Sequence, residues 1–281
     1  MTTSTSGATI DAPRPLADYE RLSDAELDTR IRAAKHALGS RLLVLGHHYQ
    51  RDEVVKYADF LGDSYRLSQR GADSAADFIV FCGVHFMAES ADILAQSRQR
   101  VILPDLGAGC SMADMADIAD VEEAWDALTG EFGDVFVPIT YMNSTAAIKA
   151  FVGKNGGLVC TSSNAKAAFE WAWARRERIF FLPDEHLGRN TGTGHGLPPS
   201  GIGMWDPRLD PKHALAALPR DARLVVWKGH CSVHQRFTPE QAAFLRAEIP
   251  GIKIICHPEC KYETCQAADL VGSTDFIIKT I

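Results

Sequence analysis

Two segments far apart in the chain can be laid over one another without a gap. Val44-Leu45-Gly46-His47 aligns with Ile254-Ile255-Cys256-His257, and EVVKYADFLGDS from Glu53 then aligns with ETCQAADLVGST from Glu263. His47 and Gly62 are 15 residues apart, as are His257 and Gly272. A weaker middle copy starts at Ile139-Thr140-Tyr141, and the same interval of 15 leads from Tyr141 to Gly156. Repetition at this scale means related structural units, with His47, Tyr141 and His257 at equivalent strand ends.

The runs between these landmarks specify the architecture. Short β-branched stretches (RLLVLG, DFIVFCGV, DVFVPITY, RIFFLP, RLVVWKG) alternate with helical patterns (MAESADILAQS, TAAIKAFV, AKAAFEWAWARR, PEQAAFLRAEI). This alternation predicts an α/β fold with short parallel sheets. The spacing predicts a disordered tail over 1–16 and an N-terminal helix over 17–40, where Ser23 and Glu26 have capping-box spacing. Three pseudo-symmetric αβα units then follow, over 41–115, 116–235 and 236–281, around a central site. EVVKYADFL and YETCQAADLV read as helices, and Phe276-Ile277-Ile278 as a strand.

Two units close alike, VILPDLGAGCS ending on Cys110-Ser111 and LVVWKGHCS on Cys231-Ser232. Units packed about a threefold axis would bring such cysteines to one point. Cys110 lies 63 residues after His47 and Cys231 lies 90 after Tyr141, so a third equivalent cysteine is expected beyond Ile281, and the third unit reads as truncated. One thiolate from each of three units suits a [4Fe-4S] cluster better than zinc, leaving one iron open as a Lewis acid. CxxC pairs, the mark of zinc ribbons, are absent from the sequence. Cys82 and Cys160 read as strand residues, and Cys256, Cys260 and Cys265 as poor substitutes for a third ligand.

GDS at Gly62, CTSSN at Cys160 and GST at Gly272 put hydroxyls and backbone N–H groups where a loop meets the next element, an arrangement suited to phosphate or carboxylate. The formal charge of -7 gives no footprint for nucleic acid. The chain has neither a membrane span nor a secretory signal, and seven cysteines do not suit a secreted disulfide framework, so a cytoplasmic protein is expected.

HHYQ with GDS, GVHFMAES, GAGCSMADM, YMNST, VCTSSNA, FLPDEHLGRN, GHCSVH, HPE and VGST together resemble the quinolinate synthase family. The resemblance runs from about residue 40 to the end of the chain. It implies three αβα domains around a [4Fe-4S] cluster. The implied reaction condenses iminoaspartate with dihydroxyacetone phosphate to quinolinate for NAD biosynthesis, with functional coupling to an L-aspartate oxidase or dehydrogenase.

By that resemblance Cys110 and Cys231 match two of three cluster ligands. His47, Tyr49, Asp63, Ser64, Tyr141, Asn143, Ser162, His234, His257, Glu259, Ser273 and Thr274 match positions lining the substrate cavity. Glu259 is expected as the main general base, with His257, His47, Tyr49 and Tyr141 moving protons. His48, His85 and His230 read as structural. Two rival classes are a non-catalytic iron or zinc sensor on the same scaffold and an inactive truncated fragment. A sensor would be expected to lack the proton-transfer set, which this sequence retains.

Overall fold

The computed structural model describes residues 15–281, so nearly all of the tail expected over 1–16 lies outside the described residues; Leu16 already belongs to a helix. The helix expected over 17–40 is two helices, α1 (Leu16–Glu20) and α2 (Asp24–Leu38). The break falls where Ser23 and Glu26 form the reciprocal capping box that starts α2.

The first sheet is built from β1 (Leu42–His47), α3 (Asp52–Val55), β2 (Phe60–Gly62), α4 (Ser64–Ala72), β3 (Phe78–Cys82), α5 (His85–Leu94) and β4 (Arg100–Ile102), in strand order β2-β1-β3-β4. The second follows α6 (Ile118–Phe132) and comprises β5 (Phe136–Tyr141), α7 (Ala146–Lys154), β6 (Leu158–Cys160), α8 (Ala165–Trp173), β7 (Arg178–Leu182), α9 (Glu185–Gly194), β8 (Ile202–Trp205), α10 (Pro211–Ala216) and β9 (Leu224–Trp227), in order β6-β5-β7-β9-β8. The third contains α11 (Pro239–Glu248), β10 (Ile255–Cys256), α12 (Tyr262–Ala267), β11 (Leu270–Val271) and α13 (Thr274–Thr280), with β10 paired to β11. All strand pairs are parallel. Among the described residues no helix is long and apolar enough to cross a membrane.

Each sheet contains one parallel pair that fixes which repeat positions correspond. His47 sits opposite Gly62, Cys256 opposite Val271 and Tyr141 opposite Cys160. Cys160, not Gly156, is therefore the counterpart of Gly62. The gapless placement of the middle copy is wrong because α7 has nine residues where α3 has four. Gly156 instead makes the turn between α7 and β6, with a φ of 73° that favours glycine.

Two further readings are corrected. EVVKYADFL and YETCQAADLV each split into a short helix followed by an edge strand. Phe276-Ile277-Ile278 is helical within α13, whose first turn is capped when the Ser273 hydroxyl accepts from the Phe276 N–H at 3.4 Å.

One continuous apolar cluster joins the first two sheets, with Leu45, Ile79 and Phe81 from one and Ile139, Phe181 and Val226 from the other. Strand β5 is buried along its whole length, as a parallel strand covered on both faces must be. The third sheet has only a small core of Cys256, Cys260 and Cys265. These three thiols pack against one another as apolar residues, with 3.7 Å between the Cys256 and Cys265 sulfurs.

Candidate active site

Parallel strands present their carboxyl ends together, and here those ends carry the chemistry. His47 ends β1, Tyr141 ends β5 and His257 follows β10 directly. After β9 the chain must turn sharply at Gly229, where a Cβ would stand 2.2 Å from the Pro183 carbonyl oxygen. The Gly229 carbonyl also accepts from the Glu185 N–H at 2.9 Å, which fixes the loop that delivers Cys231.

The most concentrated cluster surrounds Glu259, only 4% exposed. The Tyr141 hydroxyl donates to Glu259 Oε1 at 2.6 Å. His234 Nδ1 stands 3.2 Å from Oε2, close enough for a charge interaction but without an aligned hydrogen bond. The rings of His234 and His257 stack with centroids 4.8 Å apart. His257 Nδ1 accepts from the Glu259 backbone N–H at 3.3 Å, which leaves any neutral-ring proton on Nε2.

Electrostatics sort these groups into distinct protonation states. Burial opposes charge on Glu259, but His234, His257 and Tyr141 together outweigh it and hold the carboxyl below its usual range. Burial likewise opposes charge on His234, yet Cys231 and Glu259 lift it to about 10, so it is an imidazolium at neutral pH. Burial lowers His257 to about 4 and keeps it neutral, despite the opposing pull of Glu259. Burial, reinforced by the Glu259 charge, pushes the Tyr141 phenol well up. The result is an ionised acceptor held between a phenol and a cationic donor.

The remaining expected residues are spread around this cluster. His47 is half-buried and lowered to about 4 by burial and by His48, while its ring lies 3.9 Å from that of Tyr49. Tyr49 is 57% exposed, with its hydroxyl 3.7 Å from the Met87 sulfur. Asp63 caps α4 by accepting from the Arg66 N–H at 2.9 Å, and Ser64 is buried in the first turn. Ser162, after β6, is near enough to Tyr141 to favour its ionised form. Asn143 is half-buried on the loop after β5; Ser273 and Thr274 start α13. The N-terminus of α13 lies near that of α4, since Arg66 and His48 both act on Asp275 after its main partner, Lys279.

Cys110 and Cys231 both pack against the core shared by the first two sheets. Burial raises the Cys110 thiol, and Cys231 and Glu259 add to the rise, so the two cysteines and the carboxylate act on one region. Donor atoms of Cys231, His234 and Glu259 lie within 4.8 Å of one another, a candidate metal site. Cys256, Cys260 and Cys265 stay in the third sheet's own core.

Two residues escaped the sequence reading. Asp184, fully buried, caps α9 by accepting from the N–H groups of His186 at 2.7 Å and Leu187 at 3.1 Å, while its Oδ2 has no partner among the described residues. Burial and the Glu259 charge push its carboxyl well up, so the two acids are driven apart in protonation. Asn190 Nδ2 donates to the carbonyls of Pro258 at 2.8 Å and Cys260 at 2.9 Å, tying the loop that carries Glu259 to α9. Both lie in FLPDEHLGRN, but nothing in that motif says which polar residues will be buried.

Parallel α/β sheets whose strand ends gather an ionised carboxylate, an imidazolium and two thiols are the arrangement of an α/β enzyme with a buried charged cluster at a candidate metal site. A family model described as quinolinate synthetase A protein matches residues 29–281. The quinolinate synthase of Acidobacterium capsulatum is 56% identical over 265 residues, which cover 94% of this chain and 71% of that protein. Those of Geobacillus kaustophilus and a Nocardioides species are 54% and 55% identical, again over 94% of this chain and over 72% and 69% of their own lengths. The chain belongs to the quinolinate synthase family, whose members are enzymes of NAD biosynthesis.

Proposed function

We propose that the site condenses iminoaspartate with dihydroxyacetone phosphate to quinolinate, with loss of phosphate and water, and that Glu259 is its main general base. The observation that carries this reading is the buried, ionised Glu259 carboxylate in contact with the Tyr141 hydroxyl and beside the His234 imidazolium. Carbon-carbon bond formation and ring closure require protons to leave carbon and nitrogen and to reach departing oxygens. Glu259 accepts, and His234 and Tyr141 donate. His257, neutral with Nε2–H available, orients a substrate carbonyl or carboxylate, and His47 and Tyr49 close the opposite wall.

Hydroxyls of Ser64, Ser162, Ser273 and Thr274 hold the carboxylates and phosphate, helped by backbone N–H groups at helix starts. Asp63, whose side chain caps α4, stands beside Ser64 at that helix start and lines the same part of the cavity. Asn143 offers an amide to the substrate from the loop after β5.

The donor chemistry fits an iron-sulfur group: two thiols, Cys110 and Cys231, pack against the same core and act on one region beside Glu259. Cys110 and Cys231 would be two of the three thiolates expected to hold a [4Fe-4S] cluster, which when bound supplies an open iron as a Lewis acid toward a leaving hydroxyl. The three sheets are read as units over 41–115, 116–235 and 236–281. The test is stoichiometric: anaerobically prepared protein given iminoaspartate and dihydroxyacetone phosphate should release phosphate and quinolinate in equal amounts. Phosphate release without quinolinate would overturn the reading.

A further inference from the structure

GVHFMAES has no part in the chemistry above, yet the helix it begins touches both loops that frame the site. The His85 N–H at the start of α5 donates to the Ala108 carbonyl at 2.8 Å, within the loop that leads to Cys110. One turn on, Glu89 Oε2 accepts from the Ala146 N–H at 3.1 Å, capping α7 from a neighbouring element. His85 Nδ1 lies 3.7 Å from the same carboxylate.

The second contact returns from α7. Lys149 donates from Nζ to the Ser144 carbonyl and sits over the Phe86 ring at 5.4 Å from its centroid. Ser144 is itself buried, and its hydroxyl donates to the Tyr141 carbonyl at 2.8 Å. Lys149 is half-buried, and burial lowers it to about 8 against the opposing pull of Glu89. A half-buried lysine whose donated hydrogen bond goes to a loop carbonyl acts chiefly on that loop's shape.

We propose that Glu89 and Lys149 are positioning residues that brace the Tyr141–Thr145 loop against α5 and so set the Tyr141 hydroxyl on Glu259. Neither touches Glu259; they act through the backbone of the loop that carries Tyr141 and Asn143. The inference rests on the functional reading above for its catalytic consequence but not for the brace itself, so its test has two arms.

In the first arm, amide hydrogen exchange is measured in Lys149→Met and Glu89→Ala. Exchange over 142–149 should quicken about tenfold or more while β7 and β9 keep their protection. In the second arm kcat should fall on the order of 10- to 100-fold with KM little changed, the scale of a misplaced catalytic group. Glu89→Gln, which keeps an oxygen for the Ala146 N–H, should restore most of both. Unchanged exchange over 142–149, or equal quickening across the second sheet, would overturn the brace. Absence of quinolinate from the unmodified protein would count against the functional reading alone and leave the exchange arm to decide.

Discussion

The strand ends carrying GHHYQ and HPE correspond in the repeat, yet they have become different surfaces. At the first, Tyr49 is 57% exposed and its hydroxyl stands 3.7 Å from the Met87 sulfur. At the second, His257 and Glu259 are 7% and 4% exposed and are enclosed by Tyr141, His234 and Asp184. Positions that correspond in the sequence repeat therefore differ sharply in burial. Burial with partners drives Asp184, Glu259, His234 and His257 to separate protonation states, while the first strand end keeps the Tyr49 ring partly exposed. The buried charged cluster lies where Tyr141 of the second sheet meets Glu259 of the third, and the first sheet's strand end is the more exposed of the two.

The largest effect that bears on this contrast concerns the thiols. Cys231→Ser should abolish the iron-sulfur absorbance and quinolinate formation together, whereas Cys160→Ser, at a fully buried position facing Tyr141 across β5 and β6, should keep its colour. A coloured Cys231→Ser protein beside a colourless Cys160→Ser protein would remove Cys231 from the ligand set.

Tyr141→Phe comes next. It deletes the donor to Glu259 Oε1 and leaves a buried carboxylate one bond short, at a cost of about 1–3 kcal/mol. If that loss is felt in the transition state, kcat/KM should fall roughly 10- to 100-fold. By contrast Tyr49→Phe, at the exposed strand end, should change KM by only a few-fold and leave kcat nearly intact. Equal losses for the two tyrosines would erase the distinction between the regions.

The smallest expected effect is on stability. Burial is the main cause holding His47, His186 and His257 at about 4. In the unfolded chain each takes up a proton near 6.5, so as pH falls below that value the unfolded state binds protons that the folded state does not. The histidines lower the melting temperature between about pH 6.5 and 4 while the raised Asp184 carboxyl acts in the opposite sense, so the readout is the difference between proteins: His186→Gln, away from the Glu259 cluster, should lose less stability toward the acid end than the unmodified protein. The same pH dependence in His186→Gln and the unmodified protein would contradict the neutral assignment of His186.

How far the sequence reached follows from the kind of signal each feature leaves. Periodicity and strand-end repetition exposed the parallel sheets and placed His47, Tyr141 and His257 at corresponding ends, because side-chain pattern and turn chemistry are local. Phe276-Ile277-Ile278 misled because a short apolar run has no period of its own; the deciding signal was Ser273 acting as a cap. Gly156 misled because a longer helix α7 can shift a gapless alignment while leaving a glycine in the expected place. Asp184 and Asn190 were illegible because their burial is made by chain segments more than forty residues away. The pairing of Glu89 with the Ala146 N–H, and of Lys149 with the Ser144 carbonyl beside Phe86, is likewise fixed by the packing of α5 on α7.

Glu259→Gln isolates proton acceptance at the buried carboxylate, because the amide keeps the size and an oxygen for the Tyr141 hydroxyl but cannot take a proton. Quinolinate formation should be compared with the unmodified protein at matched iron content and matched melting temperature. The account requires a loss of about 10²–10⁴-fold in kcat, the usual contribution of general acid-base catalysis, with iron content unchanged. Turnover within a few-fold of the unmodified protein would show that the buried carboxylate is not the base and that proton transfer lies elsewhere in the cavity.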